Sequence, residues 1–303
     1  MRLFDMHCDT LYECRKRGRA LARNDLHIDL TRGRQYQPWG QVFAVWMPDT
    51  LRGEAAFVQC AETLHFAKTQ EAGGRVRFAE TGAALQNAFA EGRCGSVLAV
   101  EGGSALAGEL RHVDDLRALG VRVLTLTWNG SNELGHGCLS GCADGLTPFG
   151  RAAVKRMEEV GIVADVSHLN ERGFWDAADL SERPFIASHS VSAAVNPHPR
   201  NLTDEQFLEI RRRGGVVGLN LCADQLGGQS FEQFERHWVH FLELGGEYTV
   251  GLGCDLDGTH LPDEWNGIAV MAALYETLYR KNYEEACLDR LFFSNCYNFF
   301  AHL

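Results

Sequence analysis

A histidine and an aspartate two residues apart near the start of the chain form a first possible metal-binding pair. They lie in the stretch DMHCDT (residues 5–10), directly after the apolar residues Leu3 and Phe4. Side chains at positions i and i+2 of a strand point to the same face, so we expect His7 and Asp9 to project together. An imidazole and a carboxylate on one face can bind a divalent metal ion. Taken alone, the pair is more typical of a polar strand end at the surface, so the hypothesis needs further ligands.

Four more side chains that could bind a metal or move a proton follow predicted strands elsewhere in the chain. They are Glu101 in AVEGG, His168 in ADVSH, His189 in ASHS and Asp255 in GLGCDLDG. Either histidine alone fits a strand-end residue that is bonded to the backbone or to water. Together, the carboxylates would repel one another and be poorly solvated unless a cation compensated them. The set therefore predicts a metal centre.

The number of candidate ligands indicates two metal ions, because one zinc ion takes about three protein ligands and a water. The five ligand candidates are His7, Asp9, Glu101, His168 and His189. Glu101 is the natural bridge, since it lies between the first pair and the two histidines in barrel order. Two ions about 3.5–4 Å apart hold a bridging water and lower its pKa, so that hydroxide is available at neutral pH. A carbamylated lysine, the bridge in some binuclear barrels, is not expected because the nearest lysine, Lys155, lies in a predicted helix.

Two further residues are candidates for proton transfer and substrate binding. Asp255 lies outside the ligand count and could take a proton from the water and deliver it to a leaving amine. Arg200, in NPHPRNLTDE, could clamp a substrate carboxylate through its planar, bidentate guanidinium group. Its spacing fits a surface loop arginine equally well. Asp257, before Gly258, is expected to stabilise a turn.

Eight predicted strands bring these residues to one edge. The predicted strands are 2–7, 41–47, 96–100, 121–127, 162–167, 185–188, 215–221 and 248–253, and they are near-continuously apolar, as parallel strands covered on both faces are. The predicted helices are 53–72, 80–91, 109–119, 149–160, 170–180, 203–213, 230–244, 263–281 and 284–300. This alternation predicts an α/β fold, a single-domain (β/α)8 TIM barrel over residues 1–303, with its chemistry at the carboxyl ends of the strands. A doubly wound open sheet is the alternative, although no G-x-G-x-x-G turn follows the first strand.

Composition and charge exclude several classes of partner. The 303 residues carry a net charge of -11, which disfavours nucleic acid, and the basic runs 15–19 and 211–213 are typical of solvated faces. No apolar run approaches the roughly 18 residues of a membrane helix, and the start of the chain lacks a signal-peptide core. We therefore expect a cytoplasmic protein without a membrane partner. The ten cysteines are expected to be free thiols rather than a disulfide framework.

The ordered motifs resemble the membrane (renal) dipeptidase family, peptidase family M19, over nearly the whole chain. They are DMHCDT, VEGG, DVSH, SHS, the PRN of HPRNLTD and GLGCDLDG. The resemblance implies a binuclear zinc (β/α)8 barrel that hydrolyses dipeptides, and it is compatible with a homodimer. It implies that one Zn²⁺ is bound by His7 and Asp9, the other by His168 and His189, and that Glu101 bridges them.

The resemblance also assigns roles around the metals. Asp255 matches the acid–base aspartate of the family, and Arg200 matches its arginine for the substrate carboxylate. Better-known members have a histidine, which contacts substrate and oxyanion, where LTLTWNGSNELGHG has Trp128. Tryptophan donates one N–H but carries no positive charge, and losing one oxyanion donor can cost about 10²–10³ in rate. His136 and Asn132 are candidate substitutes in substrate binding, and Trp128 fits a packing residue equally well.

The expected function is that of a zinc-dependent dipeptidase. It would hydrolyse a small-molecule dipeptide by a hydroxide that bridges two Zn²⁺ ions. Two alternatives stay open. The same site could act on another small amide or ester, such as an N-acyl amino acid, a β-lactam or a lactone. The chain could also be a catalytically impaired metal-binding barrel, although all five ligand candidates and Asp255 are present.

Overall fold

Eight parallel strands form one curved sheet in the computed structural model, which describes residues 1–302. The strands are β1 Leu3–Asp5, β2 Trp39–Trp46, β3 Val76–Phe78, β4 Cys94–Glu101, β5 Val121–Thr125, β6 Val163–Asp165, β7 Val217–Leu219 and β8 Val250–Leu252. Their order is β6-β5-β4-β2-β1-β8-β7, with β3 paired to β4 off this path. The predicted fold class, a (β/α)8 TIM barrel, is confirmed. Leu303, the last residue of the predicted domain, lies outside the described residues.

The predicted strand 185–188 joins the two edges of this sheet as a short bridge segment. Isolated parallel bridges connect Ile186 to Asp165 and Ala187 to Val217. The ladder stops there because the amide of Ser188 donates to the Asp165 carboxylate at 2.9 Å rather than to a strand carbonyl. The segment therefore occupies the strand position between β6 and β7 in the barrel without forming a regular strand.

Strand β3 is an addition that sequence periodicity does not predict. It lies between two helices and pairs with the first half of β4, from Cys94 to Ser96. The second half of the same edge of β4 pairs with β5, and the register shifts between Leu98 and Ala99. Three residues are too short a run to show strand periodicity, so only the pairing reveals β3.

Helices cover the outside of the sheet, and most lie near the predicted positions. Three short helices, Thr10–Lys16, Leu30–Gly33 and Ala223–Leu226, were not predicted, and the predicted helix 263–281 begins only at Val270. They are α1 Thr10–Lys16, α2 Leu30–Gly33, α3 Gly53–Gln70, α4 Gly82–Ala90, α5 Arg111–Ala118, α6 Pro148–Val160, α7 Glu171–Leu180, α8 Asp204–Arg212, α9 Ala223–Leu226, α10 Phe231–Glu243, α11 Val270–Arg280, α12 Glu285–Asp289 and α13 Asn295–Phe300. A capping box of Thr203 and Gln206 starts α8. The predicted helix 284–300 is divided by a wider π-type turn, Arg290–Ser294.

The barrel interior is a separate apolar core that the end of the chain closes. Phe4, Val42, Ala44 and Val97 belong to it, together with residues of the last helices. The ring of Phe300 stacks on that of Phe4 with centroids 5.3 Å apart. Burying a phenylalanine side chain contributes about 1.5–3 kcal/mol, so this contact anchors the C-terminal helices under the barrel. Within residues 1–302, no helix combines the length and apolar character needed to cross a membrane.

Candidate metal centre

The first group of predicted ligands meets around the side chain of His7. Its Nε2 atom lies 3.6 Å from Glu101 Oε2, 4.0 Å from Asp9 Oδ1 and 3.7 Å from Asp255 Oδ1. His7, Asp9 and Glu101 are buried. Three carboxylates around one imidazole form a strongly negative, poorly solvated cluster, which attracts cations.

The second group meets around the other oxygen of Glu101. The Nε2 atoms of His168 and His189 lie 2.9 Å and 3.4 Å from Glu101 Oε1. The same two Nε2 atoms are 2.9 Å from each other. The structure thus places Glu101 between the pair His7 and Asp9 and the two later histidines.

Strand ends and unusual backbone conformations place these side chains. Glu101 is the last residue of β4 and is followed by Gly102 at φ 110°, a conformation open mainly to glycine. His168 and Asp255 have positive φ values of 69° and 59°. Non-glycine residues adopt this region at a cost of about 1–3 kcal/mol and cluster at functional sites. These backbone conformations direct the side chains of His168 and Asp255 towards Glu101 and His7.

The proton of the His189 ring is placed by a chain of hydrogen bonds. Ser188 Oγ donates to Asp165 Oδ2 at 2.6 Å, so its one proton is used. His189 Nδ1, 2.7 Å from Ser188 Oγ, must therefore donate. Thr125 Oγ1 also donates to Asp165 Oδ2, at 2.5 Å. The lone pair of His189 Nε2 is left facing Glu101.

Asn129 fixes the position of the proton on the His168 ring. His168 Nδ1 lies 2.9 Å from Asn129 Oδ1, an acceptor, so the proton is on Nδ1. The two Nε2 lone pairs and a Glu101 oxygen then converge with no proton between them. Such an arrangement is repulsive unless a cation lies among the three atoms, and a fixed tautomer of this kind is usual for metal-ligating histidines.

The pKa directions follow from burial and from the excess of carboxylates. Burial lowers the pKa of His168 to about 4 and holds that of His189 well below 6.5, so both rings are neutral. Burial also lowers the pKa of His7, but the carboxylates of Glu101, Asp9 and Asp255 outweigh it and raise the value to about 10. Burial raises the pKa of Asp255 to about 7. Without other cations, the cluster takes up protons to balance its charge.

Unpaired atoms show that the cluster fits metal ions better than hydrogen bonds. His7 Nε2 and Asp9 Oδ1 are buried without a hydrogen-bond partner among the described residues. Two overlapping sets of three ligand atoms share His7, one with Glu101 and His189 and one with Asp9 and Asp255. Imidazole and carboxylate ligands in this number suit zinc and related divalent ions. The residues present therefore fit a metal centre.

Arg200 is buried, so the interpretation of its sequence context as a surface loop is wrong. It is only 5% exposed, and it donates from Nη2 to the His189 carbonyl at 3.1 Å and from Nη1 to Ser190 Oγ at 3.4 Å. Its Nε has no partner within residues 1–302. A cavity of about 310 Å³ lined by Arg200, His168 and Ser190 lies beside the cluster. Arg200 therefore keeps an unpaired donor and lines a cavity beside the candidate metal centre.

The three loop residues predicted to bind substrate differ in position. Trp128 packs edge-on against Trp46 at 4.9 Å, with its ring 6.3 Å from that of His168, so it forms a wall of the site. Asn132 uses its side chain within its own loop, donating to the Leu126 carbonyl at 2.9 Å. His136 bonds to the neighbouring Ser131 hydroxyl rather than to any residue of the cluster.

Asp257 and Gly258 shape the loop after β8. Asp257 accepts a hydrogen bond from the His27 amide at 2.7 Å and one from the Thr10 hydroxyl, so it ties together distant segments as well as its turn. A Cβ on Gly258 would lie 2.2 Å from Asp255 Oδ1. Glycine is needed there because the backbone passes directly against the candidate acid–base residue.

Sequence motifs missed the residues that orient the ligands. Asp165 and Ser188 lie inside the motifs ADVSH and ASHS, so their closeness to His168 and His189 was a signal available in the sequence. Asn129 had no such signal, since it follows Trp128 in a loop. A larger cavity of about 470 Å³, lined by Ile162, Phe185 and Val216 among others, lies at the amino ends of the strands, away from the cluster.

Comparisons with known proteins show the family to which the chain belongs. Residues 1–302 match the family described as "Membrane dipeptidase (Peptidase family M19)". The chain is 35% identical over 235 residues to an uncharacterized protein in the pqqA 5' region of Klebsiella pneumoniae, covering 73% of this chain and 87% of that protein.

Two solved structures are similar over almost their whole length. The dipeptidase AC, a metallopeptidase of family M19, has a TM-score of 0.91 at 30% identity, with 98% of this chain and 97% of that chain covered. A metallopeptidase from Rhodobacter sphaeroides, crystallised with a phosphinate mimic of the dipeptide L-Ala-D-Ala, has a TM-score of 0.90 at 28% identity, with 98% of both chains covered. The chain therefore belongs to peptidase family M19, the family of the membrane dipeptidase, and is a metallopeptidase by family.

Proposed function

We propose that the protein is a zinc-dependent dipeptidase with one catalytic domain formed by the whole chain. The observation that supports this most is the buried convergence of Glu101 with the unpaired atoms His7 Nε2 and Asp9 Oδ1. The family and the two similar dipeptide-related structures support the choice of substrate.

The five ligand candidates would hold two Zn²⁺ ions. His7 and Asp9 would bind one ion, His168 and His189 the other, and each oxygen of Glu101 faces one group. When bound, two such ions polarise a carbonyl and lower the pKa of an attacking water.

The protein's own residues would position the substrate and transfer the proton of the attacking water. Asp255 lies at the edge of the cluster with one oxygen 3.7 Å from His7 Nε2, where it can accept a proton and return it to the leaving amine. Arg200 would bind the C-terminal carboxylate of the dipeptide through its free donor capacity. Trp128 and Trp46 would form an apolar wall beside the bound substrate.

Metal content measured beside dipeptide hydrolysis tests this proposal. We expect two zinc ions per chain and chelator-sensitive cleavage of an L-L or an L-D dipeptide, the L-D form being included because of the L-Ala-D-Ala mimic bound by the Rhodobacter sphaeroides enzyme. Glu101→Gln should lose both metal and activity, whereas exchanging the exposed Glu62 for glutamine should change neither. Fewer than one metal per chain after reloading would contradict the proposal. Two ions without dipeptide cleavage would favour another small amide or lactone as substrate.

The same proposal includes a cytoplasmic location and a homodimer. Cell fractionation and light scattering of the purified protein test these two points. A monomer at working concentration, or recovery outside the cytoplasm, would remove the corresponding part of the proposal without affecting the chemistry of the site.

A further inference from the structure

A second group of ligand-type side chains lies in the long loop between β5 and α6. One ring nitrogen of His136, Sγ of Cys142 and a carboxylate oxygen of Asp144 all lie within 4.8 Å of one another. His136 and Cys142 are half-buried and Asp144 is exposed. None of the three contributes to the centre around Glu101.

The spacing of these atoms suits one tetrahedral ion. Zn–S and Zn–O bonds of about 2.3 Å and 2.0 Å at a tetrahedral angle place sulfur and oxygen about 3.5 Å apart. Cys142 Sγ and Asp144 Oδ2 are separated by 3.7 Å. A cation between them requires an adjustment of only a few tenths of an ångström, which an exposed loop side chain can make.

The surrounding bonds hold the three ligands in place. Ser131 Oγ lies 2.7 Å from His136 Nδ1, and this contact orients the ring. The side-chain amide of Asn170 donates from Nδ2 to the backbone carbonyls of Cys142, at 2.9 Å, and of Asp144, at 2.8 Å. Both ligand backbones are therefore fixed to the start of α7, and the site needs little ordering before it can bind an ion.

We propose that His136, Cys142 and Asp144 form a third divalent-metal site of the zinc class. Three protein ligands leave the fourth position to water, as in open zinc sites. Its partial exposure makes it weaker than the buried centre, so it fills last and empties first. Its ligands are separate from those of the dipeptidase proposal, and only the expected filling order and total number of ions in its test rest on the two ions proposed for the main centre.

The third site is coupled to the main centre through the loop that contains it. The amide of Cys138 donates to the His168 carbonyl at 2.7 Å, and Asn129 in the same loop binds the His168 ring. An ion at His136 and Cys142 would therefore stiffen the segment that orients His168.

A cobalt titration distinguishes the third site from the main centre by spectroscopy. The candidate ligands around Glu101 supply only nitrogen and oxygen, whereas Cys142 supplies a thiolate. Metal-free full-length protein, kept reduced with a phosphine, is titrated with Co²⁺ while the near-ultraviolet thiolate-to-cobalt absorption is recorded. We expect the first two equivalents to give no such band and the third equivalent to produce it, with a final stoichiometry of three ions per chain.

Variants locate the band and control for misfolding. Cys142→Ser should abolish it and reduce the stoichiometry to two, and His136→Ala should weaken binding of the third ion at least tenfold. Cys222→Ser, at another half-buried cysteine, should leave the band unchanged. Visible d–d bands from the first two ions show that each variant is folded. Absence of the band in the wild type, or its persistence in Cys142→Ser, would overturn the proposal.

Discussion

Replacing Asn129 with alanine tests how the protein orients the His168 ligand. The side chain of Asn129 accepts the Nδ1 proton of His168 at 2.9 Å, and His168 is only 8% exposed. Removing the acceptor leaves a buried N–H unpaired, at a cost of about 1–3 kcal/mol. It also allows the proton to move to Nε2, which faces Glu101. Loss of such an outer partner reduces metal affinity about 10–100-fold, or about 1.4–2.8 kcal/mol, so the two magnitudes agree.

Competition with a chromophoric chelator measures the affinity of each of the two ions in this variant. We expect Asn129→Ala to weaken one ion by about 10–100-fold and to leave the other within a factor of a few. Asn129→Asp keeps an acceptor at the same position and should retain the affinity. Asn132→Ala perturbs the same loop without a bond to His168, and so should affect thermal stability alone. Unchanged affinities in a folded Asn129→Ala would refute the orienting role.

Three further predictions concern the site and the pH dependence of stability. Gly258→Ala places a methyl group 2.2 Å from Asp255 Oδ1 and should lower kcat about 10²-fold, while Gly73→Ala, with nothing within 4 Å, should not change it. Arg200→Lys should raise KM about tenfold for dipeptides, because lysine cannot bind a carboxylate in the same bidentate way. Dipeptide amides, which lack that carboxylate, are the control and should show no change in KM. An equal rise for both substrates would exclude carboxylate binding by Arg200. Burial lowers the pKa of His237 from 6.5, so the unfolded chain is protonated first as the pH falls. Stability should therefore decrease below about pH 6.5 and level off below the folded pKa, a loss that urea titrations should find reduced in His237→Gln.

The identities of the candidate ligands could be predicted because each follows an apolar run. Strand residues buried on both faces are near-continuously apolar, so histidines and carboxylates at the end of such a run, or within a few residues of it, mark the carboxyl end of a strand. Examples are Glu101, the last residue of β4, and His168, three residues after β6. Local rules also predicted helix boundaries, as at Thr203, where the capping box depends only on residues within one turn.

Features that depend on contacts between distant residues could not be predicted. Whether Arg200 is buried depends on the carbonyl of His189 and the hydroxyl of Ser190, which only the folded loop brings to it. Asn129 reaches His168 across 39 residues of sequence. Strand β3, three residues long, exists because β4 offers it a free edge.

The sequence by itself therefore determined the fold class and the types of ligand, since both follow from short-range periodicity and from residues beside the strands. Only the tertiary structure decided which nitrogen of each histidine faces Glu101, which loop residues orient the rings, and which loop ligands form a separate cluster around Cys142. The physical reason is that hydrogen bonds and ligand geometry act over a few ångströms in space. The number of residues between two positions in the sequence does not indicate their distance in the folded barrel.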